Sequence, residues 1–334
     1  MATRWYKTVK QSGGDYSSLA DAITALAAAY PNMVTSDVYA DIEIDGVWTI
    51  ADTAAVSVNG ITTDSTRNIN IYTTPTARHP GKNSGNFYRL SVTNLGDYEA
   101  ALWISADYTI IDGIAITGLT GASNFNHIHG ITSVGYGVVI KNNLIYDIID
   151  TSNYAVLVCI YLADSDDNPS DNLVYNNIIQ NITTRSSTYV YGIQVQYDRG
   201  DLVYNNTIYG MVEPYHSGAI ALVGNGSVFV NNLCNGNDTD YSGSFDAISS
   251  NNISEDTSSP NVALQEKIVT FISETPGSLD LHLDSTDVNA KDAGADLSGV
   301  FTTDIDGQTR SGTWDIGADE YVSPDISLNV YDHR

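Results

Sequence analysis

The sequence predicts an all-β fold: a parallel β-helix solenoid with an N-terminal capping helix and an irregular C-terminal β cap. Three observations predict it. First, a short phrase recurs, as Lys141-Asn142-Asn143-Leu144-Ile145, Tyr175-Asn176-Asn177-Ile178-Ile179, Tyr204-Asn205-Asn206-Thr207-Ile208, Val230-Asn231-Asn232-Leu233-Cys234 and, more weakly, Ser250-Asn251-Asn252-Ile253. Second, its first asparagines lie 34, 29, 26 and 20 residues apart, a spacing that signals stacked repeats. Third, a short apolar stretch lies upstream of each pair, and in Gly192–Gln196 Ile193 and Val195 alternate with Gln194 and Gln196. Alternation at period two means a strand with one buried face. No segment between units is long and periodic enough for a crossover helix, so parallel strands have to stack coil upon coil.

In chain order, the first element is a helix. Ser18 followed by Asp21 has the capping-box pattern. Leu19, Ala22, Ile23, Leu26, Ala27 and Tyr30 share one helical face, and Pro31 ends it. Helix 18–30 is therefore expected to cover the bottom of the stack, within an N-terminal cap spanning 1–40. The coils follow over 41–255. Asn68–Tyr72 and Tyr108–Ile116 read as early coil strands, and Asp112-Gly113 stands 30 residues before Asn142-Asn143. Seven or so coils at about 4.8 Å each make a rod roughly 35–40 Å long. Each unit reads as strand, turn, strand, turn, with the Asn pair at a fixed turn. Asparagine tolerates left-handed backbone angles, and stacked amides can hydrogen-bond along the axis. Gly130, Gly192 and Gly218 open the upstream stretches, whereas Val156–Ile160 has no glycine. The turn at 163–170 lengthens one coil to 34 residues. Residues 256–321 form the C-terminal cap, expected to land on the compact last coil, and 322–334 are a tail.

The cap carries the most specific string: Asp292-Ala293-Gly294, Asp304-Ile305-Asp306-Gly307-Gln308-Thr309-Arg310, and Trp314-Asp315-Ile316-Gly317-Ala318-Asp319-Glu320-Tyr321. It resembles the segment that closes many bacterial and phage right-handed parallel β-helix proteins of the pectate-lyase-like group. Val9 through Gly13-Gly14-Asp15-Tyr16-Ser17-Ser18-Leu19 to Ile23 resembles the opening of the same group. The resemblance covers nearly the whole chain and implies a right-handed parallel β-helix. It implies no single activity, because the group includes lyases, hydrolases, esterases, epimerases, adhesins and tailspikes.

Composition narrows the functions. The 334 residues include 40 acidic and 14 basic side chains, a net charge of −26. Such a surface repels nucleic acid and anionic membranes, so neither nucleic-acid binding nor membrane insertion is expected. Cys159 and Cys234 lie in apolar strand context in different coils and read as buried free thiols. The N-terminus lacks the apolar core of a signal peptide.

Four sets of residues invite chemistry. A lyase needs a base and a cation beside a uronate: Arg199 or Arg185, with Asp164, Asp166, Asp167 and Asp171. A glycosidase needs two carboxylates about 5–10 Å apart; aligning Leu173 with Leu202 brings Asp171 near Asp201. Asp171, Arg199 and Asp201 are thus the catalytic candidates. Asp164, Asp166 and Asp167 on the long turn, with Tyr197 and Tyr215 among the 22 tyrosines, are the ligand-binding candidates, since aromatic rings suit sugar stacking and interfaces. Asp304, Asp306 and Asp315 are candidate ligands for Ca2+; an EF-hand loop with Gly307 at position six fails, because Thr302 and Thr313 would stand at its ends. The alternative is that these carboxylates cap turns and pair with Arg310. His127 and His129 share a strand face, as a surface ladder or a metal pair.

The leading expectation is a phage virion structural protein: a tail or head-surface fibre, adhesin or decoration, made in the host cytoplasm. It would need no cofactor and would contact virion proteins or like subunits, as in a homotrimer, and a surface glycan. The alternatives are a carbohydrate-active enzyme, lyase or hydrolase, and a secreted bacterial surface protein.

Overall fold

The computed structural model describes residues 2–122, 127–150, 156–163, 170–184, 189–196, 200–212, 217–223 and 226–323. Three parallel sheets run through it. Sheet one has eight strands: Thr3–Val9, Val38–Ile44, Ile69–Thr73, Thr109–Asp112, Val139–Lys141, Leu173–Tyr175, Leu202–Tyr204 and Val228–Val230. Sheet two has seven: Arg89–Leu90, Ala115–Thr117, Leu144–Asp150, Ile178–Thr184, Thr207–Val212, Leu233–Asn235 and Ile253–Ser254. Sheet three also has seven: Val56–Val58, Glu99–Ile104, His127–Ser133, Val156–Leu162, Tyr189–Gln196, Ser217–Val223 and Tyr241–Gly243. The chain visits sheets three, one and two in turn, then climbs one coil. This is a right-handed parallel β-helix, the hand expected of parallel crossovers. Each regular coil holds three strands, where the sequence reading has two. The third strand is the apolar run after the Asn pair, which is separated from sheet one by only that pair.

Columns of like residues hold the coils together. In sheet one, Ile42, Ile71, Ile111, Ile140, Val174, Val203 and Phe229 pair in register from coil to coil, and all are fully buried. Burying each such side chain is worth about 1.5–3 kcal/mol. Sheet three carries a column of small residues instead, Gly130, Cys159, Gly192 and Ala219. A Cβ at 130 would stand 2.5 Å from the Cys159 carbonyl oxygen, and one at 192 would stand 2.5 Å from that of Ala219. Close backbone approach explains the glycines, and why Cys159 replaces one. Cys159 and Cys234 are both free and buried.

The Asn pairs form the corner between sheets one and two, and their two members do different work. The first (Asn142, Asn176, Asn205, Asn231, Asn251) is left-handed, with φ between 47° and 59°. The second points inward and builds a continuous amide ladder. Asn143 Nδ2 donates to Asn177 Oδ1 (3.0 Å), Asn177 to Asn206 (2.9 Å), Asn206 to Asn232 (3.0 Å), Asn232 to Asn252 (2.9 Å) and Asn252 to Asn261 (3.1 Å). Each rung also takes the backbone N–H of the preceding asparagine, at 2.9–3.1 Å.

The ends differ from a simple cap at each pole. The helix Leu19–Ala29 forms with Ser18 as its N-cap and buries Leu19, Ala22, Ile23 and Leu26. Ahead of it, Thr3–Val9 already pairs with Val38–Ile44, so the chain begins inside sheet one. At the other end, Asn261 tops the ladder, but the C-terminal segment does not stop at the last coil. It folds back as an arm over the Asn corner. First-position asparagines dock it: Asn251 Nδ2 donates to Ala293 O (2.7 Å), Asn231 to Ala295 O (2.9 Å), Asn205 to Asp315 O and Gly317 O (both 3.0 Å), and Asn176 to Thr303 O (2.7 Å). Phe301, Trp314 and Leu297 pack on Tyr175, Tyr204 and Val230, outside sheet one. Phe271, Leu281, Ile305 and Ile316 pack with Leu144, Ile178, Leu233 and Ile253, outside sheet two. The arm thus covers much of the outer faces of two sheets, while sheet three presents a groove to solvent. Among the described residues, no helix is long and apolar enough to cross a membrane.

Candidate functional site

The groove lies on the outer face of sheet three, where strands Glu99–Ile104, His127–Ser133, Val156–Leu162 and Tyr189–Gln196 run side by side. Register puts Val156 between His127 and Tyr189, Val158 between His129 and Tyr191, and Tyr161 beside Gln194. Tyr98 donates its backbone N–H to His127 O (2.7 Å), which sets it beside His127 at the end of that row. The described lining is Tyr98, His127, His129, Val156, Val158, Tyr161, Tyr189, Tyr191, Gln194 and Gln196, around about 280 Å³.

Aromatic platforms stand at both ends. The Tyr98 ring stacks on His127, centroids 4.3 Å apart and planes within 6°. Asp97 Oδ1 orients that imidazole, 2.9 Å from Nδ1, and also accepts the His127 N–H (2.7 Å). Tyr98 has φ 60° and is 59% exposed. A bulky residue in the left-handed region costs about 1–3 kcal/mol and is held there by its surroundings. At the far end Tyr189 and Tyr191 lie nearly parallel, 6.5 Å apart. Valines floor the middle. His129 is buried beside Tyr161 (4.7 Å) and its Nδ1 meets Thr132 Oγ1 (2.8 Å). Burial lowers its pKa to about 4, with His127 adding to the effect, so it is neutral. His127 and His129 thus share a face as expected, but each Nδ1 already has its own partner and they form no metal pair.

The catalytic candidates do not assemble. Leu173 pairs with Leu202 as predicted, but that register sets Asp201 beside Asn172, not Asp171. Asp201 is buried in a second turn ladder: its Oδ1 accepts from Ser170 Oγ (2.5 Å) and Asn172 N (3.0 Å), while Asn172 Oδ1 accepts from Val138 N (2.8 Å). Asp171 instead turns to Tyr136, whose hydroxyl donates to it (2.8 Å). Arg185, Arg199, Asp164, Asp166, Asp167, Tyr197 and Tyr215 lie outside the described residues.

The three candidate Ca2+ ligands also separate. Asp304 accepts from Asp306 N and Gln308 N on one oxygen and from Glu320 N on the other. Asp315 accepts from Asp292 N and Tyr321 N. Burial raises both carboxyls to about 6. They cap turns, and Arg310, fully buried, pairs with Glu320 (3.2 Å) and donates to Gly317 O and Ala318 O (2.9 Å each). Only Asp306 of the three joins a convergent group, with His282 and Asp319.

Sequence reasoning missed Tyr98 and treated Tyr189, Tyr191, Gln194 and Gln196 as a half-buried edge. Their period-two spacing was visible; what was missing is the coil register that sets Tyr98 and Tyr189 in one row.

No protein-family model matches this chain, and no curated protein matches it. Among solved structures the chain is similar to pectate lyase Pel9A, at 14% identity over 96% of this chain and 97% of that chain, with a TM-score of 0.31.

Proposed function

We propose that this chain is a rigid, non-catalytic β-helix that contacts a glycan through the outer face of sheet three, as a virion fibre, adhesin or decoration protein. The observation that carries this reading is the groove itself. Aromatic rings at its two ends are about three coil steps apart, roughly 14 Å, and the amides of Gln194 and Gln196 line its edge. Flat rings with amide partners suit the apolar faces and hydroxyls of sugars. The strained, exposed Tyr98 supports the same reading, since backbone strain concentrates at binding sites. The described lining holds no carboxylate, so it supplies neither the acid–base pair of a glycosidase nor the carboxylate ligands of a Ca2+-dependent lyase. With a net charge of −26, the surface favours neutral over uronate-rich chains.

An array of neutral and acidic oligosaccharides tests it. Wild-type protein is expected to retain neutral glycans and release them uncut, and Tyr98→Ala and Tyr189→Ala to lose retention at unchanged fold. Cleavage of any retained chain, or retention untouched by both substitutions, would defeat the proposal. The virion part has its own test: the chain should be present in purified particles.

A further inference from the structure

The arm contains a cluster that the glycan groove does not use. His282 sits on the strand Asp280–Leu283, Asp306 on the turn after Asp304, and Asp319 in the closing string. One ligand atom from each of His282, Asp306 and Asp319 lies within 4.8 Å of the others. His282 Nδ1 is taken by the Asp280 carboxylate. That is the outer-shell bond that orients a metal-binding imidazole and directs its other nitrogen at the ion. The other nitrogen, Nε2, is buried and has no acceptor in hydrogen-bond geometry. It lies 3.1 Å from Asp306 Oδ2, close enough for an ion pair but off the N–H axis. Two ligands of one tetrahedral Zn2+ stand about 3.4 Å apart at Zn–N and Zn–O lengths of about 2.1 Å, so a few tenths of an ångström of movement admits the ion.

The surroundings are built around that nitrogen. Gly81 packs against the ring, and a Cβ there would stand 2.6 Å from both Cε1 and Nε2. Glycine is what leaves the coordinating edge of the imidazole open. The neighbouring His79 is not a further ligand, since its Nε2 meets Asn142 O (3.0 Å) and its Nδ1 accepts from Gly81 N (3.2 Å). Asp306 also lines a cavity of about 460 Å³ with Thr73, Pro75, Arg78, His79 and Pro80, which gives an ion a route in and water the open position. Three carboxylates, Asp280, Asp306 and Asp319, gather here against Lys82, which pairs with Asp280 (2.5 Å).

We propose that His282, Asp306 and Asp319 form a structural site for a divalent transition-metal ion of the Zn2+ class, which ties three segments of the C-terminal arm to one another. One imidazole with two carboxylates is a Zn2+-type donor set, and Ca2+ sites take oxygen alone. In a chain whose two cysteines are free and buried, such a staple would fasten the arm where no disulfide does.

The test uses the full chain, stripped with EDTA and titrated with Co2+ and then Zn2+. The expected results are a visible d–d band at one Co2+ per chain, its displacement by Zn2+, and a higher Tm with Zn2+. Both responses should be lost in His282→Gln and in Asp306→Asn. The second substitution is isosteric at a half-exposed position and keeps the test readable should the first fail to fold. Asp280→Asn should bind about 10–100-fold more weakly. A stripped protein with no cobalt band and no Tm shift would overturn the proposal, as would a response that survives both ligand substitutions.

Discussion

Replacing Asn206 by alanine probes the amide ladder at its centre. Asn206 is fully buried. Its Oδ1 accepts from Asn177 N (3.0 Å) and Asn177 Nδ2 (2.9 Å), and its Nδ2 donates to Val174 O, Tyr204 O and Asn232 Oδ1 (each 3.0 Å). Truncation strands the Asn177 backbone N–H and one of its amide hydrogens; the other still reaches Ile140 O (3.0 Å). A buried donor left without a partner costs about 1–3 kcal/mol. Two such donors make a loss of about 2–6 kcal/mol, a large share of a typical stability of about 5–15 kcal/mol. Asn206→Asp keeps the acceptor but faces Val174 O and Asn232 Oδ1 with a carboxylate, so at neutral pH it should cost at least as much. Urea unfolding followed by circular dichroism measures both. An Asn206→Ala midpoint equal to that of wild type, at unchanged slope, would refute the argument that the ladder, rather than apolar stacking alone, holds this corner.

Other predictions address separate links. Asn205→Gly keeps the left-handed turn (φ 47°) but removes the bonds to Asp315 O and Gly317 O; the arm should exchange its amide hydrogens faster while the coils do not. Burial raises the Asp240 carboxyl to about 7, although Asn237 Nδ2 (2.9 Å) and Glu255 N (2.6 Å) donate to it; nearby Asp256 pushes the same way as burial. Its folded pKa lies above the usual 3.8, so its stabilising contribution is complete below pH 3.8 and is lost as pH rises through 7. Asp240→Asn should flatten that decline in a series of melts between pH 4 and 8, and an unchanged slope would count against it. Tyr98→Gly relieves the positive φ while deleting the ring; stability should stay within about 1 kcal/mol of wild type, whereas glycan retention falls.

Much of the fold was legible because it rests on local chemistry. The Asn pairs mark the one corner that needs a left-handed residue followed by an inward amide, and both requirements are written in residue type. The capping helix was legible for the same reason, through Ser18 and the spacing of Leu19, Ile23 and Leu26. The third strand of each coil was not, because two residues of corner leave no turn signal between sheets one and two. The path of the arm was hidden as well. It depends on bonds from Asn176, Asn205, Asn231 and Asn251 to backbone carbonyls 42 to 127 residues away, and carbonyls carry no sequence signature. The groove shares that difficulty. Tyr98 and Tyr189 meet in one row only after three coil steps whose lengths all differ, so spacing alone pairs neither with the other. Asp171 and Asp201 illustrate the converse: their nearness was read correctly from Leu173 and Leu202, yet a one-residue offset sends one carboxylate inward and the other outward.

The groove on sheet three is the central claim, and a crystal structure with the glycan that the array selects tests it most directly. The account predicts sugar rings against Tyr98–His127 at one end and Tyr189–Tyr191 at the other, Gln194 and Gln196 bonded to hydroxyls, and an intact glycosidic chain. Density for the glycan on another face of the helix, or a cleaved product in the groove, would contradict it.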